Sequence, residues 1–387
     1  MDIVGIVAEY DPFHNGHLYH MNRAKQLSGC EKAMCVLSGS FTQRGAPALM
    51  EPFSRARAAL ECGMDAVLLL PVHFALREAE AFALGGVSVL ERAGATHLAF
   101  GCENDDLPLL RDAAILLEHP DSRFTSVLRS GLDSGLPHPA ALFSALTDRL
   151  GKQAECLEKP NNTLAVCYMR ALIRLSSALI PVPVKRGGSH HDRQMSLFPS
   201  SSSVRTSFFE NGLTGLENGL PSCSLQVLRK EAENGRIGRA ESMDRVLLYR
   251  LRSMKAEELA RIQGMSEGLE NRILSKVNEA STREELLWLI KTRRYPYARL
   301  SRLLARALLN ITEDETPSLP EYTRLLGFRG SMGEEIKNAA SDIEFVENAA
   351  KARSPSWQAE VRADLTWNTL SGIPGKEIYS RHCICIK

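Results

Sequence analysis

Apolar residues recur along the first two hundred positions in short runs that end at a glycine, a proline or a polar turn. These runs are rich in aliphatic and β-branched side chains, as is typical of strands buried on both faces of a sheet. Stretches with helical spacing separate them, and this alternation predicts a doubly wound, Rossmann-like α/β domain with a five-stranded parallel sheet. The predicted strands lie in 2–8, 33–39, 65–71, 97–101 and 180–186, and the helical patterns lie in 17–28, 52–62, 78–93 and 163–178.

The pattern changes in the second half of the chain. Segment 187–207 is rich in Gly, Ser and His and lacks periodicity, which predicts a loop. From about residue 221 onward the apolar spacing is nearly all helical. Together with the length of 387 residues, this predicts an α/β domain over 1–207 and a mainly α-helical domain over 208–387.

Composition narrows the class of protein. Hydrophobic residues make up 44% and charged residues 24%, and no apolar run is long enough to cross a bilayer, so a soluble protein without a membrane partner is expected. The N-terminus has an acidic second residue and no basic segment, which favours a first strand over a signal peptide. A cytoplasmic location is therefore expected. The net charge is only +1, so any contact with nucleic acid must come from local clusters.

The nine cysteines are scattered through apolar segments without the paired spacing of metal ligands. This distribution favours free, buried thiols. The C-terminal "HCIC" offers soft metal ligands, but cysteines that alternate with isoleucine are more typical of one face of a final strand. We therefore assign no metal to it.

The sequence "HNGH" at 14–17 follows the first predicted strand, in a chain that has neither a Walker loop nor a GxGxxG turn. Gly16 would let a phosphate approach the backbone, and the helix that begins near His17 offers free N–H groups and a favourable dipole. His14 and His17 could donate hydrogen bonds to phosphate oxygens as charge builds up. The alternatives are that His14 caps the turn and His17 packs, or that both bind a metal with His20.

A second candidate for phosphate contacts is "SSSSVR" at 200–205, which follows the fifth predicted strand. The carboxyl ends of parallel strands meet at one edge of a sheet, so this segment is expected close to the "HNGH" turn. The hydroxyl of Ser202 and the guanidinium of Arg205 could close over a triphosphate and stabilise a leaving pyrophosphate. A flexible serine linker is the alternative.

Basic residues cluster in the helical half, interleaved with Tyr295 and Tyr297. Three of the arginines are spaced at i, i+3 and i+7, which predicts one helix face. Such a cluster suits RNA phosphates and base stacking, although a solvated helix face is the alternative. The candidate RNA-binding residues are Lys291, Arg293, Arg294, Arg299, Arg302 and Arg306.

The "HNGH" and "SSSSVR" segments resemble the paired signatures of the nucleotidyltransferase superfamily that includes class I aminoacyl-tRNA synthetases. More specifically, the chain resembles the bacterial tRNA(Met) cytidine acetate ligase family over nearly its whole length. The motifs that carry the resemblance occur in the family's order, and they are "VAEYDPFHNGHLYH", "LSGSFTQRGAPALM", "FGCEND", "PNNTLAVCYMRAL", "VKRGGSHHD", "SEGLENRI" and "KTRRYPYARLSRLL".

The resemblance implies a ligase that activates acetate with ATP to acetyl-adenylate, with Mg²⁺ expected alongside the phosphates. The acetyl group would then pass to the N4 amine of the wobble cytidine of elongator tRNA(Met), giving N4-acetylcytidine, with no role for DNA. His14 and His17 would be catalytic. The implied ATP contacts are Val7, Ala8, Glu9, Tyr10, Asp11, Pro12, Phe13, His14, Asn15, Gly16, His17, Leu18, Tyr19, His20, Gly101, Asn161 or its neighbour Asn162, and Arg186.

Some roles and departures stay open at this point. Gln43 and Arg44 could orient acetate or the target base, or they could form an exposed loop. His190 and His191 could accept the amine proton, or they could belong to a polar loop cluster. The family more often has Asn-Pro where this chain has Asp11-Pro12, and it tends to have Asp-Lys where this chain has Glu51-Pro52, in a loop expected to border the active site.

Two other functions fit the same motifs. The first is a small-molecule adenylyltransferase of the same superfamily, which the long basic helical half disfavours. The second is an RNA-binding protein that has kept an inert nucleotide fold. Acetate-dependent release of pyrophosphate from ATP would separate both from the ligase.

Overall fold

The apolar runs of the first two hundred residues form five parallel strands, as predicted. The computed structural model describes residues 2–186, 197–266, 268–339, 341–375 and 377–386. The central strands carry apolar side chains on both faces, and helices bury them from both sides. The strands are β1 (Ile3–Ala8), β2 (Lys32–Ser38), β3 (Ala66–Leu70), β4 (His97–Cys102) and β5 (Ile180–Lys185).

The strand order creates a switch point in the sheet. The chain builds β1, β2 and β3 side by side, then crosses back so that β4 pairs with the other edge of β1. Val4 of β1 pairs with Ala33 of β2 on one side and with His97 of β4 on the other. Connections leave β1 and β4 in opposite directions, so a crevice opens at the carboxyl ends of these two strands.

Helices connect these strands and cover both faces. Most of them begin at a capping side chain or a proline, as at Asp106 before the helix that starts at Leu107 and at Pro160, the first residue of another helix. The helices of this half are α1 (Asn15–Ser28), α2 (Pro52–Glu61), α3 (Val72–Ala75), α4 (Ala79–Arg92), α5 (Leu107–Glu118), α6 (Ser122–Asp133), α7 (His138–Leu150), α8 (Pro160–Arg174) and α9 (Ser201–Asn211).

The second half is mostly helical, as the spacing predicts. Buried leucines and isoleucines of five consecutive helices between residues 243 and 309 form a hydrophobic cluster of their own. No helix in the described ranges is both long and apolar enough to span a bilayer. The helices are α10 (Ser222–Glu233), α11 (Met243–Ser253), α12 (Ala256–Ala260), α13 (Leu269–Lys276), α14 (Arg283–Ile290), α15 (Tyr297–Leu309), α16 (Met332–Ala339) and α17 (Trp357–Leu370).

The C-terminal part also adds strands, which the sequence did not predict apart from the last one. These are β6 (Tyr322–Thr323), β7 (Leu325–Arg329), β8 (Glu344–Phe345) and β9 (Ile384–Ile386). Strand β7 pairs antiparallel with β3, and β9 pairs with β7, so the described residues form a seven-stranded sheet in the order β5-β4-β1-β2-β3-β7-β9. The C-terminal chain therefore returns to the α/β core, while the domain division at residue 207 stays a prediction.

The expectation that all cysteines are free is wrong for one pair. Cys62, at the end of α2, and Cys223, in α10, form a disulfide with a Cα–Cα distance of 6.1 Å. They are 161 residues apart, and only the packing of α10 on α2 brings them together. The free cysteines are Cys30, Cys35, Cys102, Cys156, Cys167, Cys383 and Cys385.

Candidate functional site

A cavity of about 420 Å³ lies at the carboxyl ends of β1, β4 and β5, where the strand order predicts a ligand site. The first turns of α1, α8 and α9 complete its walls. Among the predicted ATP contacts, Pro12, Phe13, Asn15 and Leu18 do not line it. Those that do are Val7, Ala8, Glu9, Tyr10, Asp11, His14, Gly16, His17, Tyr19, His20, Gly101, Asn161, Arg186, Ser202 and Arg205.

The two histidines of "HNGH" are locked together at the start of α1. His14 is the N-cap residue, and its Nδ1 accepts a hydrogen bond from the Gly16 N–H at 3.1 Å. The Nδ1 of His17 accepts from the His14 N–H at 3.3 Å, and the two rings stack with centroids 3.6 Å apart. Because both Nδ1 atoms accept, the proton of each neutral ring lies on Nε2. His14 thus caps the turn and keeps a donor as well.

Burial keeps these imidazoles uncharged. It lowers the pKa of His14 to about 3, and the positive charge of Arg186 adds to the effect. Burial also lowers the pKa of His17 well below its ordinary value and that of His20 to about 4. At neutral pH all three rings therefore act as hydrogen-bonding groups and not as cations. Among the described residues, His20 Nε2 has no hydrogen-bond partner.

The two glycines that line the cavity, Gly16 and Gly101, differ in the space that surrounds a Cβ atom at each position. A Cβ on Gly16 would lie 2.9 Å from Cε1 of His14, so the capping ring itself requires a glycine there. A Cβ on Gly101 would lie 3.7 Å from Cγ of Arg186 and 3.9 Å from Cδ2 of His20, which are ordinary contact distances. The protein leaves room beside Gly101, and that room belongs to the cavity.

The adjacent asparagines at the start of α8 have separate tasks. Asn162 is fully buried, and its side-chain oxygen accepts from the backbone N–H groups of Glu103 and Asn104, at 2.9 and 3.2 Å. It therefore fixes the turn after β4. Asn161 lines the cavity, where its side-chain oxygen accepts from Nη1 of Arg186 at 3.2 Å. Of the two, Asn161 is the one that faces the cavity.

The serine-rich segment differs from the expected loop, because α9 begins within it. Ser200 is the N-cap, and its hydroxyl accepts from the Ser203 N–H at 3.1 Å in a capping box. Serine side chains satisfy the free N–H groups of a first helical turn, which explains why the segment folds as a helix start. The hydroxyl of Ser202 accepts from Nη1 of Arg44 at 3.2 Å. The expectation of free N–H groups at the start of α1 is wrong, because those of Asn15, Gly16 and His17 donate within the protein. The dipoles of α1 and α9 still face one cavity and favour an anion there.

Asp11, one of the departures from the family pattern, is only 3% exposed and is fully paired. Its carboxylate accepts from the Leu49 N–H at 2.7 Å and forms an ion pair with Nη1 of Arg205 at 3.1 Å. Since an asparagine could keep only the first of these contacts, the additional charge of Asp11 is matched by Arg205. The two segments proposed to contact phosphate are linked by this pair.

The loop that leads to Glu51 borders the cavity through Gln43 and Arg44, as expected, but Glu51 itself does not line it. Glu51 is 1% exposed and caps α2, with its carboxylate accepting from the N–H groups of Phe53 and Ser54 at 2.8 and 2.9 Å. It also forms an ion pair with Arg381 at 2.5 Å. Glu51 therefore stabilises a helix start away from the cavity.

Comparison with known proteins decides the family. The HIGH Nucleotidyl Transferase family model matches residues 1–377. The tRNA(Met) cytidine acetate ligase of Acetivibrio thermocellus is 36% identical over 87% of this chain and 85% of its own length. That of Clostridium perfringens is 33% identical over 92% of both. The chain belongs to the tRNA(Met) cytidine acetate ligase family.

Solved structures of this ligase family share the whole fold. The crystal structure of Thermotoga maritima TmcAL bound with alpha-thio ATP matches with a TM-score of 0.91 at 28% sequence identity. The apo form of the same protein matches with a TM-score of 0.92 at 29% identity. Both comparisons cover 100% of each chain, so the strands added by the C-terminal part belong to the matched fold.

The basic cluster lies on α15 and on the segment before it, but not all of it is accessible. Lys291, Arg293 and Arg294 are exposed, and Arg299 and Arg302 are half-buried. Arg306 is only 5% exposed, and its Nη1 donates to the Leu76 carbonyl at 2.7 Å, so its assignment as an RNA contact is wrong. The i+7 position of α15 turns toward the α/β core, and burial lowers the pKa of Arg306 to about 10.

Several apolar side chains of the cavity carried no signal in the sequence. Their apolar spacing is that of any core helix or strand, so only the tertiary fold distinguishes them. The apolar and aromatic cavity side chains that the sequence did not reveal include Phe82, Phe100, Leu164, Tyr168 and Phe198.

Gln43 and Arg44 line the cavity, which agrees with a role toward a ligand. His190 and His191 lie outside the described residues.

Proposed function

We propose that this chain is an ATP-dependent acetate ligase that acetylates the N4 amine of the wobble cytidine of elongator tRNA(Met), giving N4-acetylcytidine. The observation that carries the proposal is the meeting of the "HNGH" turn and the α9 N-terminus in one cavity, in a chain of the tRNA(Met) cytidine acetate ligase family. A protein that acts on tRNA would be located in the cytoplasm.

The first step joins acetate to ATP. An acetate oxygen attacks the α-phosphorus, the bond from that phosphorus to the bridging oxygen breaks, and pyrophosphate leaves with the bond electrons. This displacement needs positioning and charge neutralisation more than proton transfer. Nε2–H of His14 and of His17 would donate to phosphate oxygens, while Arg186 and the start of α9 would offset the developing charge.

Mg²⁺ fits this cavity mainly as an ion that arrives with ATP. Among the described residues, no group of three or more His, Cys, Asp or Glu side chains is arranged to hold a metal. Mg²⁺ usually keeps several waters and binds through substrate phosphates, so such a cage is not required. When bound, it would supply further charge neutralisation at the phosphates. Of the two carboxylates that line the cavity, Asp11 is paired with Arg205, and Glu9 could reach one of the waters of the ion.

The second step moves the acetyl group to RNA. The N4 amine attacks the carbonyl carbon of acetyl-adenylate, AMP leaves with its phosphate oxygen, and the amine gives up a proton. Glu9 is placed to accept that proton, because it lines the cavity at the end of β1 and is oriented by the Gln43 N–H, which donates to its Oε1 at 2.6 Å. Burial raises the pKa of the Glu9 carboxyl, which makes its carboxylate a stronger base.

Glu9→Gln tests this role, because the amide can still accept from Gln43 but cannot take a proton. We expect transfer from supplied acetyl-adenylate to tRNA to slow by roughly 10²- to 10⁴-fold. In the wild type the transfer rate should fall as the pH drops through the raised pKa, and in the variant this decline should be lost. A variant with the wild-type pH profile would exclude Glu9 as the base.

Two measurements on the purified protein test the proposed function directly. Acetate should stimulate pyrophosphate release from ATP, and labelled acetate should enter methionine tRNA. His17→Ala should abolish the first activity and leave tRNA binding intact, because His17 belongs to the phosphate site. Stimulation by phosphopantetheine instead of acetate would identify a small-molecule adenylyltransferase. Failure to bind ATP, with tRNA binding retained, would identify a non-catalytic RNA-binding protein.

A further inference from the structure

Trp288 on α14 is an unusually exposed aromatic residue. It is 59% exposed, whereas Trp357 and Trp367, the two other tryptophans of the chain, are 1% and 0% exposed. An exposed indole contributes nothing to the hydrophobic core. Tryptophan that remains at a surface is enriched where a partner binds.

The Trp288 ring is held in place by a carboxylate. Its Nε1–H donates to Oε1 of Glu284 at 2.8 Å, and the hydroxyl of Tyr297 donates to the other oxygen of the same carboxylate at 2.5 Å. The two ring centroids are 6.1 Å apart. One acidic side chain therefore fixes both aromatic rings, so little side-chain freedom would be lost when a flat group stacks on them.

The charge around Trp288 fits an anionic partner. Nζ of Lys291 lies 4.3 Å from the centroid of the Trp288 ring, and the exposed Arg293 and Arg294 follow it in the chain. Across the described ranges, no carboxylate lies within ion-pair distance of these three cations. An aromatic surface beside unpaired cations suits a base together with its phosphate.

The position of Trp288 relates it to the cavity. Arg283 begins the same helix, and its Nη2 donates at 3.1 Å to the carbonyl of Gly45, next to the cavity residues Gln43 and Arg44. At about 1.5 Å per residue, Trp288 lies roughly 7.5 Å further along the α14 axis. A base that stacks on Trp288 would therefore lie on the helical side of the cavity wall, within a few nucleotides of one that enters the cavity.

We propose that Trp288 and Tyr297 form a stacking platform for an unpaired nucleotide of the RNA substrate, next to the nucleotide that is modified. The inference rests on the proposed function, because that function requires an anticodon loop to reach the cavity. Lys291 would meet the phosphate of the stacked nucleotide. Stacking is tolerant of base identity, so the platform would position the loop without reading its sequence.

Intrinsic fluorescence tests the platform, because Trp288 is the tryptophan that solvent and RNA can reach. A single-stranded oligonucleotide with the anticodon-loop sequence should quench the exposed emission, and the same sequence in a duplex should not. Trp288→Ala should weaken binding of the full tRNA roughly 5- to 150-fold, the range that base stacking supplies. Trp288→Phe keeps a ring and should recover much of the affinity.

A matched control and a second activity make the outcomes distinct. Tyr249 on α11 is 75% exposed, and Tyr249→Ala should change tRNA affinity by no more than about twofold, as expected for a surface position outside an interface. Acetate-dependent pyrophosphate release without tRNA should be the same in all these variants. The platform is refuted if pyrophosphate release is normal, RNA does not quench Trp288, and Trp288→Ala binds tRNA as tightly as the wild type. If the wild type shows no acetate-dependent pyrophosphate release but RNA still quenches Trp288, the proposed function fails and the RNA site stands.

Discussion

The substitution Gly101→Ala should affect ligand binding without affecting protein stability. In Gly101→Ala the new Cβ would lie 3.7 Å from Cγ of Arg186 and 3.9 Å from Cδ2 of His20, so nothing in the protein has to move. The free energy of unfolding should stay within about 0.5 kcal/mol of the wild-type value. The methyl group would instead occupy part of the cavity of about 420 Å³ at the switch point.

Overpacking a well-fitted contact costs about 1–3 kcal/mol, so the affinity of Gly101→Ala for ATP should fall roughly 5- to 150-fold. Calorimetric titration with a non-hydrolysable ATP analogue measures this, and chemical denaturation measures stability. Gly16→Ala is the contrast, because its Cβ would meet the His14 ring at 2.9 Å and should cost about 1 kcal/mol of stability through the lost cap. Wild-type affinity in Gly101→Ala would show that ATP does not approach this strand end.

Three further predictions test other contacts. In a double-mutant cycle with Asp11→Asn and Arg205→Ala, the coupling energy should be about 1–3 kcal/mol in stability, because the pair is buried on the Asp11 side; additive effects would contradict the pairing. Arg306→Ala should cost about 1–3 kcal/mol of unfolding free energy by leaving the carbonyl that it contacts unsatisfied. Arg302→Ala should instead weaken tRNA binding and lower its salt dependence, and a reversal of these two phenotypes would restore Arg306 as an RNA contact. The folded pKa of His14, about 3, lies below its unfolded value of about 6.5, so the unfolded state takes up the proton first and stability is lost as the pH falls below 6.5. From pH 7.5 to 4.5 the wild type should lose roughly 2–3 kcal/mol more than His14→Asn in urea denaturation, and equal losses would place the folded pKa of His14 near its ordinary value.

The sheet and the position of the "HNGH" turn were predictable because their signals are local. Each of the five parallel strands is a continuous apolar run, and "HNGH" follows the first run directly. Strand β7 carried no such signal. Its five residues extend the sheet only because Phe328 meets Ala66 from more than 250 positions away, and pairing at that distance depends on the packing of the whole C-terminal part.

Side-chain roles were harder to predict than elements. Helical spacing puts Arg299 and Arg306 on one face of α15, but it cannot say where along that face the solvent ends and the core begins. In the same way, the serines at 200–203 have the composition of a linker, although their hydroxyls also cap a helix. Composition alone does not distinguish these outcomes, because the deciding partner lies elsewhere in the chain.

The loop at 42–46 explains how a helical half can serve a reaction in the α/β half. On one side, the Gln43 N–H donates to Glu9 in the wall of the cavity. On the other, the carbonyl of Gly45 accepts from Arg283 of α14, and a Cβ on Gly45 would lie 2.5 Å from the backbone oxygen of Ser301 in α15. Gly45 also has a φ of 73°, so the loop requires a glycine for both reasons. The five-residue loop contacts the proposed base on one side and the proposed RNA-binding helices on the other. RNA docked on α14 and α15 would therefore be aligned with the cavity by direct contact, without a flexible linker between them.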